Sequence, residues 1–311
     1  RFRKENKSVI FISHDLDEIM EVCDTLTVLR DGKIIRTFEK AEFEAGAIRA
    51  SMIGRELQGD YYRSDFQASS QPEVALDVRN LVYEDRLKGI SFQVHKGEIV
   101  GIGGLAHCGM HSLGKVCFGA LKPEEGSVTV EDGTIIDSPA IAMKKRVGYV
   151  SKDRDVESLC LNASIEDNIS IAGMSEFAIN NFLILKNREK KYVNHQIEEL
   201  SIKCAGRDQS VSQLSGGNKQ KVVFGKWIGC GSEILILDCP TRGVDIGVKQ
   251  AMYQLMVRLK NEGKSILMIS EELPELIGMS DRILIMKNGE VSAEFERSET
   301  LSDAQIIEYM I

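Results

Sequence analysis

The chain has 311 residues, of which 43% are hydrophobic and 28% are charged, an ordinary mixture for a globular protein of about two domains. The formal net charge of -8 argues against a nucleic-acid groove, so no nucleic-acid partner is expected. Seven scattered cysteines without a C-x-x-C pair indicate reduced thiols and a cytoplasmic compartment, and no apolar run reaches about eighteen residues, so any membrane contact is expected to be peripheral.

The first predicted elements belong to a segment that occurs twice. Residues 7–39 align without a gap with residues 264–296, at an offset of 257, with ten identities in thirty-three positions. Each copy predicts an apolar strand, a short amphipathic helix, a second strand and a hairpin turn. The predicted helices are Leu16 to Val22 and Leu273 to Met279, and the predicted turns are Asp31-Gly32 and Asn288-Gly289.

Only the second copy is preceded by the rest of a domain, and residue 1 is not Met. We therefore expect a fragment in which residues 1–54 are the C-terminal tail of a truncated first domain of the same kind. Residues 55–73, which include the polar run Gln67 to Pro72, predict a linker. Residues 74–311 are expected to form a complete second domain.

A glycine-rich loop follows the predicted buried strand that ends at Ile102. The loop occupies the place of the phosphate-binding pattern G-x-x-x-x-G-K-[ST]. Gly104 and Gly109 keep the two spaced glycines, whereas Met110 replaces the lysine and His111 replaces the hydroxyl residue. The chemistry of the loop is therefore altered, because a thioether offers no charge to the outer phosphates and an imidazole is poorly suited to Mg2+.

The phosphate-binding pattern also fits the same loop in a second register. It places the spaced glycines at Gly109 and Gly114 and the lysine at Lys115, with Val116 where a hydroxyl residue belongs. This register moves the loop five residues away from the end of the strand and treats the first helical turn as loop. Lys115 is therefore expected to be an ordinary helix residue.

A small metal site is another interpretation of this region. His107, Cys108 and His111 carry ligand atoms, and the two histidines stand at i and i+4, which places them on one face of a helix. Neighbouring residues suggest no fourth ligand. Because the spacing coincides with phosphate-loop positions, loss of an unused nucleotide loop is the favoured interpretation.

The stretch from about residue 155 to residue 213 loses the strand pattern. It carries helix-compatible segments such as Asn187 to Leu200, and the charged cluster Lys186 to Lys191 is most simply a solvated helix face. A helical region is therefore expected between the loop-and-strand core and the motifs that follow.

The most specific motifs come next. The first is Leu214-Ser215-Gly216-Gly217-Asn218-Lys219-Gln220-Lys221, and the second is the apolar run Ile234 to Leu237 ending in Asp238-Cys239-Pro240-Thr241-Arg242-Gly243-Val244-Asp245. A serine and two glycines that open a helix present bare N–H groups and the positive end of the helix dipole to a phosphate. A carboxylate at the end of a buried strand suits Mg2+. The pair predicts nucleotide binding.

In this order and spacing, the two motifs resemble the signature and Walker B motifs of ATP-binding-cassette (ABC) ATPases, and their residues are similar to those of the sugar-importer branch. The resemblance covers nearly the whole chain and implies an α/β fold, a P-loop NTPase-type ABC cassette with a mostly parallel core sheet, an antiparallel β region and a helical subdomain at about 155–213. It implies ATP and Mg2+ as cofactors and two membrane permease subunits as partners at the cytoplasmic face of the membrane. A sugar-binding protein would be an indirect partner. The nucleotide sites would be completed by the first cassette of the same chain, and a second copy of the chain is a further possible partner.

The resemblance also assigns residues to sites that two cassettes share, because ABC cassettes pack head to tail. Ser215-Gly216-Gly217 would cap ATP held by the first cassette, and His14 would contact the terminal phosphate in that same catalytic site. Tyr83 stands about where the family stacks an aromatic ring on adenine. Asp245 would lie in the loop that links the two sites.

The Mg2+ ligands of the second cassette are expected to be weakened. Asp238 ends the Walker B strand, where the resemblance implies a contact to Mg2+ through water. Lys152, in the segment Gly148 to Arg154, replaces the glutamine or acidic residue that the family has in the loop before the helical subdomain. A Mg2+ contact from Lys152 is not expected, and we interpret it as an ordinary solvated loop charge.

Four substitutions change the second site in the same direction. Cys239 replaces the glutamate that polarises the attacking water, and a neutral thiol is a poor proton acceptor. Glu271 aligns with His14 of the first copy and would place negative charge against the terminal phosphate. Together with Met110 and His111, these residues predict a site that no longer hydrolyses ATP.

The sequence is therefore expected to be the C-terminal part of the ATP-binding subunit of a bacterial sugar importer of the ribose, galactose or xylose type. The full-length chain would couple ATP hydrolysis to sugar uptake, and the fragment alone would be inactive. Two alternatives are a non-catalytic regulatory ATP-binding half and a soluble, ribosome-associated cassette protein. The short polar linker counts against a ribosome-associated protein, because cassette proteins of that group usually carry a long charged connector.

Overall fold

The structure is a computed structural model that describes residues 7–13, 16–30, 33–53, 61–66, 68–179 and 183–311. These residues belong to two units, one made of the residues up to Tyr61 with Asp245–Ala251, and the other made of Tyr62–Val244 and Met252–Ile311. The helices are α1 Leu16–Val22, α2 Ala45–Ile53, α3 Met110–Cys117, α4 Pro139–Lys144, α5 Ile165–Ser170, α6 Met174–Phe177, α7 Lys186–Glu199, α8 Gly216–Gly229, α9 Ile246–Asn261, α10 Leu273–Met279 and α11 Asp303–Met310. The strands are β1 Thr25–Arg30, β2 Lys33–Glu39, β3 Val74–Tyr83, β4 Leu87–His95, β5 Ile99–Gly104, β6 Glu125–Val130, β7 Val147–Val150, β8 Ala178–Ile179, β9 Leu183–Ile184, β10 Ile234–Asp238, β11 Ser265–Ile269, β12 Arg282–Lys287 and β13 Glu290–Glu296.

The first unit repeats a segment of the second unit element by element. Strands β1 and β2 pair antiparallel, as β12 and β13 do, and the bounds of each pair differ by the 257 residues found in the sequence. Helices α1 and α10 differ by the same offset. Even the register shift between Val28 and Leu29 recurs between Ile285 and Met286. The predicted internal repeat and both predicted helices are confirmed.

One expectation for the first copy is wrong. Residues 7–13 form no strand, whereas the corresponding Ser265–Ile269 forms β11. Strand β11 is hydrogen-bonded to β10 on one side and to β5 on the other, and the described part of the first unit supplies no such pair of flanking strands. A strand without neighbours leaves its backbone groups unpaired. His14 and the predicted turn Asp31-Gly32 lie outside the described residues.

The second unit is built around a six-stranded sheet in the order β13-β12-β5-β11-β10-β7. Five of these strands are parallel, and β13 is an antiparallel edge strand joined to β12 by the predicted turn at Asn288-Gly289. Strands β5, β10 and β11 are buried along their whole length. Burial on both faces explains why these segments read as continuous apolar runs. The predicted mostly parallel core sheet is confirmed.

The strand register brings the carboxyl ends of four strands to one edge of the sheet. Ile102, Ile269 and Asp238 are partners across β5, β11 and β10, and Val150 at the end of β7 pairs with Leu237. Since parallel strands share one direction, the loops that leave them emerge side by side, which is where open α/β sheets place their ligand sites. The loops after β5, β7, β10 and β11 therefore meet.

Two further layers complete the second unit. Strands β4, β3 and β6 form a three-stranded antiparallel sheet, in agreement with the predicted antiparallel region. Between residues 155 and 213 lie helices α5, α6 and α7, in agreement with the predicted helical content. The two-residue pair β8 and β9 also lies there. It was not predicted, because strands this short show no periodicity.

The described end of the predicted linker is anchored in the second unit. Arg63 is buried, and its Nη1 donates to Asp281 Oδ1 at 2.9 Å. Asp281 also pairs with Lys260 at 2.9 Å and accepts the backbone N–H of Ser69 at 3.2 Å. One buried carboxylate thus holds two cations and fixes the segment to the start of the core, an arrangement that the polar composition of the linker does not reveal.

Candidate functional site

The loop after β5 has the shape of a phosphate-binding loop. Helix α3 begins at Met110, directly after Gly109, whose φ of 102° is in the left-handed region that favours glycine. A Cβ at Gly109 would also clash with the backbone carbonyl oxygen of Arg86. The alternative register is wrong, because Gly114 and Lys115 lie inside α3, and Lys115 pairs with Glu157 at 2.6 Å.

The two residues that replace the lysine and the hydroxyl residue have separate environments. Met110 is only 1% exposed and packs in the core of the unit. The His111 side chain is 28% exposed, and its Nδ1 lies 2.7 Å from Asp238 Oδ1. The loop therefore directs an imidazole, and no cationic side chain of its own, at the carboxylate that ends β10.

Asp238 is the buried centre of the site. Its side chain is fully buried, and its second oxygen, Oδ2, accepts a hydrogen bond from the Tyr149 hydroxyl at 3.2 Å. Burial raises the pKa of Tyr149, and the neighbouring Asp238 charge raises it further. Tyr149 therefore remains a neutral phenol that donates to the carboxylate.

Lys152 and Glu271 close the outer side of the same cluster. Lys152 Nζ lies 2.6 Å from Glu271 Oε1 and 3.0 Å from His111 Nε2, and Glu271 Oε1 lies 3.4 Å from His111 Nε2. The hydrogen bond from Lys152 lowers the pKa of Glu271. The interpretation of Lys152 as an ordinary solvated charge is wrong, because its ammonium group compensates the carboxylate that was expected to face a phosphate alone.

Cys239 follows Asp238 and lies beside this cluster. It is 7% exposed and has a φ of 49°, and its backbone N–H donates to Ile269 O at 2.8 Å. Burial raises the pKa of the Cys239 thiol, and the charges of Asp238 and Glu271 raise it further. The thiol is neutral at physiological pH, so it does not replace a glutamate as a proton acceptor.

These residues do not fit Mg2+. Mg2+ takes a nearly octahedral set of oxygen ligands and usually keeps several waters. Here the available donors include an imidazole and a thiol beside the single carboxylate of Asp238, and Glu271 is paired with Lys152. The expected contact from Asp238 to Mg2+ is therefore not supported by the arrangement of the side chains.

The alternative metal site at His107, Cys108 and His111 is not formed. His107 is exposed with a φ of 69°, whereas Cys108 is buried, and burial raises the pKa of its thiol. In the part of the chain that the structure describes, one group of three His, Cys, Asp or Glu side chains brings its ligand atoms together: His111, Asp238 and Cys239.

The signature segment is intact and begins a long helix. Ser215 caps α8, and its hydroxyl oxygen accepts a hydrogen bond from the Asn218 side chain at 2.9 Å. Helix α8 continues over Gly216–Gly229, and its first turn contains no acidic residue. Ser215 is exposed at the positive end of this helix. The geometry thus presents hydroxyl and backbone N–H groups outward, as anion binding requires.

Arg154 links the signature helix to the loop after β10, which sequence reasoning missed. Its Nη1 donates to the Arg242 carbonyl oxygen at 2.7 Å and lies 3.4 Å from Gln220 Oε1. The next residue, Asp155, pairs with Lys219 at 2.9 Å. Alternating charges over residues 152–155 were the available signal, but a charge pattern does not identify a partner that lies 60 or more residues away.

Three further predicted site residues lie at the ends of secondary-structure elements. Tyr83 is half-buried and ends β3, directly before the turn in which the Arg86 carbonyl oxygen approaches Gly109. Gly104 ends β5, and Asp245 accepts the backbone N–H of Val248 at 3.0 Å at the start of α9. No helix among the described residues has the length and apolarity needed to span a membrane.

Comparisons with known proteins agree with this geometry. The family model described as ABC transporter matches residues 87–242. The ribose import ATP-binding protein RbsA of Clostridium tetani is 37% identical over 312 residues, which cover 100% of this chain and 61% of that protein. Its counterpart in Bacillus subtilis is 38% identical over 302 residues, covering 97% and 60%. The chain spans about 60% of the length of these curated relatives.

One solved structure illustrates the fold. A nucleotide-free ATP-binding cassette from an ABC transporter matches with a TM-score of 0.63 and 24% sequence identity, covering 76% of this chain and 99% of that chain. At this level of identity the likeness concerns the fold alone. It agrees with the parallel core sheet, the antiparallel sheet and the helical region described above.

Proposed function

Since the chain belongs to the ABC transporter family, we propose that it is the C-terminal part of the ATP-binding subunit of a carbohydrate importer. The predicted family and the predicted ABC cassette fold are confirmed. The names of the two relatives, ribose import ATP-binding proteins, support a sugar as the transported molecule. ATP is the nucleotide that the family binds.

The observation that carries the detailed proposal is an asymmetry within one cassette. Ser215, the first residue of the signature segment Ser215-Gly216-Gly217, is exposed and caps helix α8 in the usual way for a helix N-terminus. The phosphate-loop side instead directs His111, Lys152 and Glu271 at one another. This cassette therefore lends its signature to a partner site while its own site does not hydrolyse ATP.

In the shared site, the N–H groups at the start of α8 and the hydroxyl group of Ser215 bind the terminal phosphate of ATP held by the first cassette. In this proposal His14, which lies outside the described residues, would contact the same phosphate, and Mg2+ would accompany that ATP to neutralise charge during phosphoryl transfer. Arg154 holds the signature helix against the loop that ends at Asp245. The chain thus contributes binding and positioning groups, not the attacking-water base.

The domain organisation follows from the same proposal. Residues 1–54 are the tail of a first cassette, residues 55–73 connect the two halves, and residues 74–311 form the second cassette with its helical subdomain at about 155–213. Two permease subunits at the cytoplasmic face of the membrane would receive the motion of the cassettes, and a sugar-binding protein would deliver the sugar. The structural repeat at a 257-residue offset supports this division.

The test is a glycine substitution in the full-length ATP-binding subunit, assembled with its permease. We expect Gly217→Asp to reduce ATP turnover and sugar uptake by at least about 100-fold, because a carboxylate at the helix N-terminus repels the terminal phosphate. The matched control is Gly206→Asp, since a side chain at Gly206 meets open space and its φ is ordinary. Uptake and phosphate release are measured in the same vesicles.

Retained uptake in the Gly217→Asp variant would contradict the shared site. An equal loss in both glycine variants would also contradict it, because the effect of the added charge would then not be specific to the start of α8. A non-catalytic regulatory half predicts a third result, in which Gly217→Asp alters the dependence of uptake on nucleotide concentration but leaves the maximal rate unchanged.

A further inference from the structure

We propose that His111, Asp238 and Cys239 form a binding site for a zinc-class divalent cation. Their ligand atoms, an imidazole nitrogen, a carboxylate oxygen and a sulfur, all lie within 4.8 Å of one another. Zn2+ takes these ligand types, whereas Mg2+ requires oxygen ligands. The inference goes beyond the proposed function, since the cation would bind without ATP.

Two of the three ligand atoms already stand close to the spacing that tetrahedral zinc requires, and the third lies within 4.8 Å of both. His111 Nδ1 and Asp238 Oδ1 are 2.7 Å apart, slightly less than the roughly 3.3 Å between adjacent ligands of tetrahedral zinc. The other oxygen of Asp238 accepts from the Tyr149 hydroxyl. Such an outer hydrogen bond orients a ligating carboxylate. Only small movements are needed to admit an ion between the ligands.

The hydrogen bonds also show how the protons would rearrange. Lys152 is a donor, so His111 Nε2 accepts from it and Nδ1 carries the imidazole proton toward Asp238. When the cation binds Nδ1, the proton on Nδ1 passes to solvent, Lys152 moves away from Nε2, and solvent supplies one proton to Nε2, which lies 3.4 Å from Glu271 Oε1, so the imidazole stays neutral. The thiol of Cys239 releases its proton to solvent on forming the metal–sulfur bond. Glu271 then accepts from Nε2–H, as the carboxylate beside a zinc-bound histidine does.

Lys152 competes with the cation in this scheme. Its ammonium group stabilises the metal-free tautomer by donating to His111 Nε2, and its positive charge opposes a second cation nearby. The Lys152 side chain is 27% exposed, so it has a path toward solvent. Removing the ammonium group is therefore expected to strengthen cation binding, whereas removing a ligand is expected to weaken it.

Three protein ligands leave one coordination position open. The imidazole of His111 is partly exposed, and the buried carboxylate and thiol lie behind it. An open fourth position takes water or a small anion, as in zinc sites that are not purely structural. The site is therefore reachable from solvent at the edge of the core sheet.

The experiment is a titration of the 311-residue chain with Zn2+ and with Co2+, without nucleotide. We expect one cation per chain at this site and a near-ultraviolet thiolate-to-cobalt charge-transfer band. Cys239→Ser should remove the band and weaken Zn2+ binding by at least about 100-fold, because the loss of outer-shell partners alone costs up to that much. Lys152→Met should strengthen Zn2+ binding about tenfold.

The matched control is Cys160→Ser, since Cys160 is an exposed thiol elsewhere in the same unit. This variant should keep both the band and the affinity. A band that persists in Cys239→Ser, equal affinities in the two cysteine variants, or weaker binding in Lys152→Met would each overturn the proposal. His111→Ser provides a second ligand variant if Cys239→Ser does not fold. None of these measurements uses ATP turnover, so a negative result for the cation site would leave the proposed transport function untouched.

Discussion

At the scale of single residues, the candidate site is governed by one hydrogen-bonded pair and one ion pair. His111 contacts Asp238 at 2.7 Å, and Lys152 contacts Glu271 at 2.6 Å. A carboxylate at position 271 is acceptable because the residue at position 152 is a lysine. The substitutions identified separately in the sequence are therefore parts of one network, in which each side chain partners another.

The Lys152 and Glu271 pair gives a pH-dependent prediction. Since pairing lowers the pKa of Glu271, its contribution to stability is present above the unfolded pKa and is lost as the pH falls through the folded pKa. Lys152→Met should lower the free energy of unfolding at neutral pH by less than about 1 kcal/mol, because the Glu271 side chain is 44% exposed and the pair is screened by solvent.

Urea denaturation at neutral pH and at a pH below the folded pKa of Glu271 measures this effect. The difference between wild type and Lys152→Met should shrink at the lower pH. A difference that grows on acidification would show that Lys152 stabilises the fold through something other than Glu271.

At the scale of elements, the decisive feature is the anchoring of the segment before β3. Asp281, at the start of β12, accepts the backbone N–H of Ile99 at 2.8 Å and pairs with both Arg63 and Lys260. The carboxylate thus ties together the end of the predicted linker, the end of α9 and the start of β5. A buried carboxylate with two buried cations is costly to break by removing one partner.

Asp281→Asn should therefore lower the free energy of unfolding by about 3–5 kcal/mol, since it leaves Lys260 buried without its counter-charge and Arg63 with Asp65 as its remaining carboxylate partner. The control is Asp132→Asn, which makes the same chemical change in the exposed pair with Lys145. Chemical denaturation of both variants gives the comparison. Equal losses of stability would contradict the importance of the buried cluster.

At the scale of the whole molecule, two features matter: the internal repeat, and the difference between the intact signature segment and the altered phosphate loop. The first unit matches the second at a constant offset, and the second carries an intact signature with an altered phosphate side. Under the proposed function, this cassette needs the phosphate loop of another cassette to complete a hydrolytic site. Its expected activity alone therefore differs from its expected activity in the full-length subunit.

The purified chain of 311 residues should show no ATP turnover above background in excess Mg2+ and ATP. The physical reason is that neither the charge of a phosphate-loop lysine nor a Walker B base is present at Met110 and Cys239. A phosphate-release assay measures this. A rate on the order of one per second would be near the low end for typical enzymes. If such a rate were observed and disappeared in Asp238→Asn, the prediction that the second site does not hydrolyse ATP would be refuted.

Much of the molecule was predictable from the order of its residues. The 257-residue repeat, the helices Leu16–Val22 and Leu273–Met279, the buried strands and the glycine-rich turns are local patterns, because strand and helix periods and turn chemistry act over a few residues. The family resemblance likewise depends on two short motifs. The expected strand in residues 7–13 failed for the opposite reason, since an apolar run becomes a sheet strand only when neighbours pair with it.

The meeting of His111, Lys152, Asp238 and Glu271 was decided by the tertiary structure alone. These residues follow or end four strands that are far apart in sequence, and the parallel register of β5, β7, β10 and β11 brings their carboxyl ends to one edge. The sequence indicated that positions 111, 152 and 271 had lost their usual chemistry and that Asp238 had kept it. Only the strand register made these four residues partners of one another, because hydrogen bonds and ion pairs depend on distances of a few ångströms that no local pattern encodes.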